Sequence, residues 1–357
     1  MPAPRIRVPA LALALCLAAA PATAQGFTIA GPDSSRLTFN GRVQTQFNTS
    51  SEDDVPRAET ALRRVRLEAT LQFNRVVSGK ISPEFAGSRV SIRDAYVRFA
   101  LDPALMVWAG QAYRPFSIMT MYSSSRILPI ERGVRIRGLS DEYDEWNLVS
   151  GLGYGDRDVG LQLRGEPAGA PLGLSYAVGW FNGPARADFP NENTGQVVAR
   201  VGVAPAPNLK LNASYSARDF ATGEDEVEVR RGDAWEADVE IGSERGGLHL
   251  LGEVVAGDFD PFLGARFVGA QGWLGYRMGR VSRAISGVEP MFRVSYAEID
   301  ADDAPAEGLG ASGGTLITPG VNLWLGGLNR FSLNYDLWNS QTGESAQSFK
   351  AQFQLAF

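Results

Sequence analysis

The chain has 357 residues with 34 basic and 40 acidic side chains, a net charge of −6 that becomes −8 once a leader carrying Arg5 and Arg7 is removed. That balance disfavours nucleic acid as a partner. The only cysteine, Cys16, falls inside the leader, so the mature chain offers no disulfide, thiol nucleophile or thiolate metal site, and no cofactor is expected.

Residues 1–24 read as a secretory signal: Arg5 and Arg7, an apolar run from Val8 to Ala20, and Ala22-Thr23-Ala24 as a small-residue cleavage site. Residues 25–35 form a short N-terminal segment on the periplasmic side. Beyond residue 24 there is no run of about 18 apolar residues, so a membrane crossing would have to be made of strands. From Arg36 to Phe357 the chain alternates apolar and polar residues in stretches of about ten, as strands do when one face meets lipid and the other water. The clearest are Leu37–Phe47, Arg64–Val76, Asp158–Glu166, Leu172–Asn182, Gln196–Ala204, Asn208–Arg218, Trp235–Gly242, Leu248–Gly257 and Phe331–Trp338. The last, 349–357, sets Phe349, Phe353, Leu355 and Phe357 against Lys350, Gln352 and Gln354, which makes Lys350 dispensable and the oily face essential.

Tight-turn residues (Ser78-Gly79, Asp102-Pro103, Pro205-Ala206-Pro207, Gly326-Gly327) alternate with long polar connections at 48–61, 183–194, 219–231 and 301–314. Short turns on one side and long loops on the other are the asymmetry of a bacterial outer-membrane barrel. The fold class is therefore all-β, a transmembrane antiparallel β-barrel of about 16 strands spanning 36–357. Eighteen is the alternative, if 112–155 hides a hairpin from Val134–Leu139 and Trp146–Leu152. Aromatic residues near strand ends (Phe39, Phe47, Phe99, Trp108, Trp180, Phe181, Trp273, Tyr276, Trp324 and Trp338) are placed by this reading at headgroup depth.

With the apolar parity facing outward, the inward set holds Arg42, Arg64, Arg66, Arg164, Arg200, Lys210, Arg218, Arg277, Arg293 and Lys350. It also holds Glu68, Asp158, Glu236, Asp238, Glu240, Glu253 and Asp336, so the arginines either line an anion path or brace a wet interior as ion pairs. His249 is the only histidine, poor material for a hydrolase triad. Gly151-x-Gly153-x-Gly155 has no following helix to cradle phosphate. The acids of 224–228 and 300–303 fit no EF-hand spacing, and no metal is expected.

Six stretches in order, VSIRDAYVRFAL (90–101), GQAYRPFSI (110–118), SSSRILPIERG (123–133), RDVGLQLRGE (157–166), SYAVGWFNG (175–183) and VVARVGVAP (197–205), resemble the phosphate-selective porins O and P. The resemblance covers most of the mature chain. It implies a sixteen-stranded homotrimeric barrel whose third external loop folds into the channel as a constriction. Carried over, that loop begins near Gln111 and includes Arg114, Pro115, Phe116, Ser117, Arg126, Glu131 and Arg132. The family's pore-lining arginines correspond to Arg64 and Arg66. One departure stands out: 112–155 contains no lysine and gathers Asp141, Glu142, Asp144 and Glu145 instead.

The expected function is a non-enzymatic outer-membrane porin giving passive diffusion of small inorganic or organic anions, phosphate or other oxyanions preferred. The alternative is a general or weakly cation-selective porin, with an outer-membrane barrel enzyme or a structural or adhesive barrel as readings of another class. Outer-membrane lipid, lipopolysaccharide and the barrel-assembly machinery are the expected partners, and Phe357 resembles the signal that machinery reads.

Overall fold

A computed structural model describes residues 26–31, 35–51, 57–87, 89–136, 146–188, 190–223, 226–243, 246–300, 313–341 and 343–357. The expected signal peptide, the loop acids Asp141, Glu142, Asp144 and Glu145, and most of 301–314 lie outside the described residues. Among the described residues, sixteen strands follow one another around a closed antiparallel wall. They are β1 (Arg36–Thr49), β2 (Ala58–Gln72), β3 (Val77–Glu84), β4 (Ser91–Asp102), β5 (Leu105–Tyr113), β6 (Arg157–Gly165), β7 (Ser175–Phe181) and β8 (Gln196–Ala206). The series continues with β9 (Leu209–Thr222), β10 (Glu228–Gly242), β11 (Gly247–Asp260), β12 (Ala265–Arg277), β13 (Gly287–Asp300), β14 (Gly313–Gly326), β15 (Asn329–Ser340) and β16 (Ser345–Ala356). No described helix is long and apolar enough to cross a membrane.

The wall closes where β16 pairs with β1, Ala356 opposite Arg42 and Lys350 opposite Asn48. Phe357 completes the seam: its N–H donates to the Gly41 carbonyl at 3.0 Å and its carbonyl accepts from the Gly41 N–H at 2.9 Å. Gly41 leaves room for the terminal ring: a Cβ there would stand 2.3 Å from Phe357, so any side chain must displace the ring. A further short strand, Phe27–Ala30, pairs with the first residues of β1 and extends the sheet past the seam.

Side-chain parity is as alternation requires. Leu161, Val254, Phe292 and Leu355 are exposed on the outer face, while Gln44, Gln162, Ser295, Gln352 and Gln354 are buried in the lumen. Lys350 is not dispensable by position: it is buried and pairs with Asp336 at 3.0 Å. The aromatic assignment also needs correcting. Phe39, Phe47, Phe99, Trp180 and Tyr276 do face outward, but Phe181, Trp273, Trp324 and Trp338 are buried inside and Trp108 lines an interior cavity. A ring near a strand end is therefore no guide to its face; parity is.

Several boundaries differ from the sequence reading. The second strand runs Ala58–Gln72 rather than Arg64–Val76, and the turn is 73–76, which puts Ser78 and Gly79 within β3. Strand enters the connections 48–61 and 219–231 from both ends, up to Thr49 and from Ala58 in the first and up to Thr222 and from Glu228 in the second, because β1, β2, β9 and β10 extend beyond their apolar stretches. Leu172 stands in a short turn before β7, at φ 56°. Among the described residues, the hairpin suspected in 112–155 appears as Arg135–Ile136 against Trp146–Asn147, a separate two-stranded sheet off the wall, and the wall itself has sixteen strands.

Replacing Gly41 by Leu forces the Phe357 ring off the seam, an overpacking cost of about 1–3 kcal/mol. The heat-modifiable, folded fraction on gels should fall, as it should on deletion of Phe357, whereas Gly279→Ala, in open space, should leave it unchanged.

Candidate functional site

Between β5 and β6 the chain leaves the wall and fills much of the barrel. Departure and return are joined by Arg114 N–H donating to the Asp156 carbonyl at 3.0 Å. This is the third external connection, residues 114–156. Its apolar residues Phe116, Val134, Leu148, Val149 and Tyr154 are buried against Phe181, Val255, Phe267, Leu316 and Trp338 of the wall. Nearer the periplasmic end, Met119, Ile127 and Leu128 pack on Leu251, Trp273 and Met291. Truncating any one of the large rings in such a cluster costs about 3–5 kcal/mol.

Polar contacts fix the loop's register. Ser117 adopts φ 62°, caps a single helical turn at Ile118–Met121, and donates its hydroxyl to Glu253 at 2.7 Å. The Met119 and Ile118 N–H groups reach Glu253 and Glu236, both at 3.3 Å. Arg114 donates to the Gly153 carbonyl at 2.5 Å and to Gln196 at 2.6 Å. Arg293, almost wholly buried, ties Thr318 and Asp336 of the wall to the Glu131 carbonyl.

Two β-bulges shape the other side. The register of β1 and β2 slips so that Gln44 opposes Arg64 but Thr45 opposes Leu62, leaving Arg63 as an extra residue. Simple alternation would send Arg63 into lipid. Instead its guanidinium grips the Glu131 carboxylate of the loop with two bonds of 2.9 Å. The second bulge, between β3 and β4, makes Arg93 the extra residue beside Pro83, and it reaches Asp156 at 3.9 Å. Burial would raise the Glu131 carboxyl, but Arg63, with Arg64 and Arg135 near, holds it well below the usual carboxylate range.

What the loop leaves open lies against β1–β6. A cavity of about 240 Å³ is lined by residues of all six strands, with Met121, Ser123 and Ser124 of the loop opposite. Its charged lining is Arg42, Lys80, Arg157 and Arg164 against Glu68 and Asp94. Arg42, Glu68, Met121 and Ser123 also line a larger cavity of about 790 Å³ that extends to the periplasmic turn at Ser243 and to Phe357. Arg42 stands at the junction, 3.6 Å from Glu68 and 3.4 Å from the Ser123 hydroxyl. Arg157 pairs with Asp94 at 2.7 Å and lies 3.7 Å over the Tyr113 ring. Arg164 lies 4.6 Å over Trp108 and donates to Gln162 and the Tyr113 carbonyl; among the described residues it has no carboxylate partner.

The profile of the family described as phosphate-selective porin O and P matches residues 37–241. The chain belongs to that family. Its fold is shared with solved outer-membrane structures at low identity. OmpT of Vibrio cholerae, in a trimer form, is 12% identical over 91% of this chain and 100% of its own, with a TM-score of 0.58. The outer membrane channel DcaP of Acinetobacter baumannii is 12% identical over 92% and 100%, at 0.58. OprB of Pseudomonas putida is 11% identical over 90% and 94%, at 0.59. A comparison with curated proteins finds no match. Family and fold are those of an outer-membrane channel.

The remaining residues singled out in this porin divide clearly. Arg66 is tied to Glu84 at 2.9 Å, Arg64 to Gln44 at 2.9 Å, and Arg200 to Glu236 and Asp238. Arg218 lies 3.8 Å over Phe220, Pro115 and Phe116 are interior packing, and Arg132 donates to Tyr113 and the Thr120 carbonyl. Of the basic residues singled out, Arg42, Lys210, Arg126 and Arg164 line the two cavities. Lys80 and Arg157 were missed as lining residues, and Arg63 and Arg93 as residues that hold the loop. Lys80 had the inward parity of its strand as a signal; the bulged arginines had none.

Arg63→Ala leaves Glu131 without its clamp, so the loop should loosen, stability should drop by about 2 kcal/mol and single-channel current noise should rise. Since the folded Glu131 pKa is depressed, the stabilisation from this clamp is complete above the ordinary value of 4.5, declines below it, and is gone once pH has fallen through the lower folded pKa. Wild-type noise should therefore rise on acidification, with little change in the variant.

Proposed function

We propose that this porin passes small anions, phosphate or a related oxyanion preferred, along the β1–β6 side of the loop. The observation that carries the reading is the lining of the narrower cavity, four cations against two acids, with Arg164 free of any carboxylate. Guanidinium groups seated over the Trp108 and Tyr113 rings are held in place, Arg164 with donors uncommitted to any carboxylate, which suits the oxygens of a carboxylate or phosphate. Each site takes part of the anion's hydration shell and releases it to the next. Arg164 and Arg157 lead to Arg42 at the junction, and Lys210 and Arg126 lie beyond it.

The mature chain assembles as a homotrimer after signal-peptide cleavage; the trimer form of the Vibrio cholerae structure supports this. Phe357 serves as the recognition signal for the assembly machinery. A general or weakly cation-selective porin is the second reading, favoured by Glu68, Asp94 and Glu240 on the same two cavities.

Arg42→Ala with Arg164→Ala tests the choice. Reversal potentials across a planar bilayer in a salt gradient should show anion preference reduced by about threefold or more, and phosphate block of chloride current weakened, with oligomer yield unchanged. Arg64→Ala with Arg66→Ala should instead lower folded yield and leave the selectivity of the surviving channels alone. Unchanged selectivity in the first pair would overturn the anion path.

A further inference from the structure

On the outer face of the wall, at the external ends of β7 and β8, a pocket of about 320 Å³ has no role in the channel. Its floor is Trp180, 54% exposed and facing away from the lumen. Around the indole stand Asn182, Asn193 and Thr194 of the loop between β7 and β8, with Asp219 and Arg231 of the neighbouring hairpin. Gly195 brings the loop close: a Cβ there would be 3.1 Å from the indole nitrogen.

The polar groups divide into scaffold and spare. Asp219 is engaged on both oxygens, accepting the Gly195 N–H at 2.8 Å and Arg231 at 2.9 Å. Thr194, by contrast, is 5% exposed and its hydroxyl has no hydrogen-bond partner. A hydroxyl left unmade in this way costs free energy, and such groups usually mark an unseen partner. The Asn182 and Asn193 amides make no side-chain hydrogen bond within the described residues, and Arg231 keeps further donors free beyond its bond to Asp219.

An open aromatic face ringed by unspent amide, hydroxyl and guanidinium groups is complementary to one class of ligand. A pyranose ring offers an apolar C–H face to stack on an indole and a rim of hydroxyls that both donate and accept. An anion alone would not need the ring, and an acyl chain would not need the amides.

We propose that this pocket binds a sugar ring, at the level where the external leaflet of an outer membrane displays the core sugars of lipopolysaccharide. Trp180 is the stacking platform, Asn193 and Thr194 read hydroxyls, and Arg231 is available to a phosphate or acid substituent. The inference rests on the outer-membrane location and not on ion selectivity, so it stands or falls independently of the anion path.

Binding of three probes to the purified porin, measured by native mass spectrometry, tests it: rough lipopolysaccharide, its delipidated core oligosaccharide, and phosphatidylethanolamine. Trp180→Ala and the pair Asn193→Ala with Thr194→Val should each weaken lipopolysaccharide binding about tenfold, Trp180→Phe by less, and none should alter phosphatidylethanolamine binding. Oligosaccharide binding with the same ranking would mean that free sugars are ligands too; its absence, with lipopolysaccharide still variant-dependent, would mean the sugar is held only when lipid-anchored. Conductance and heat modifiability report folding, and the loop pair carries the test if Trp180→Ala does not fold. Parallel loss of both lipids in Trp180→Ala, loss confined to that variant, or full retention by both would overturn the proposal.

Discussion

Hydrocarbon offers no partner to a backbone N–H or C=O, so a strand that enters it must be paired along both edges. Everything else in this molecule follows from meeting that demand with a single sheet. The wall has no free edge because β16 returns to β1, and the last residue is bonded on both its amide and its carbonyl to Gly41. Closure consumes one face of every strand in lipid contact. All remaining chemistry is thereby forced inward, onto a surface that would be a wide water-filled bore were it not occupied.

The third external connection occupies it unevenly. Its apolar residues pack on β7 and β8 and on the wall from β10 to β16, and the acids of β10 and β11 hold the backbone of its first helical turn. Charges there are committed: Arg200 to Glu236 and Asp238, Arg293 and Lys350 to Asp336. Toward β1–β6 the packing stops and the cavities begin. Buried ion pairs are weak evidence for stability but strong evidence for register, and here they fix where a loop of one sequence sits within a wall of another.

The fold was legible because period-two alternation runs along the strands of the wall on both sides of the third external connection, and inward arginines such as Arg42, Arg164 and Arg293 could be picked from it. The site was less so. A bulge adds one residue and leaves no mark on composition, so Arg63 and Arg93 read as lipid-facing when they hold the loop instead. Rings such as Trp273 and Trp338 resembled a headgroup belt, yet they are interior packing, a distinction that depends on parity rather than on nearness to a strand end. Within 112–155 no period exists to read: the segment's conformation is dictated by the walls it meets. Whether Arg66 serves ions or Glu84 depends on a cross-strand distance that one strand's pattern does not contain.

The division of the lumen into a packed side and an open side has an evolutionary consequence. Substitutions among Trp273, Phe267 or Glu253 strike the scaffold that seats the loop, and selection sees them as lost protein. Those at Arg42, Lys80 or Arg164 touch the cavities and little of the packed core. Selectivity can then drift on the residues that line the cavities while the packed side keeps the channel standing, so one architecture can be retuned for new solutes by few changes and without first becoming fragile.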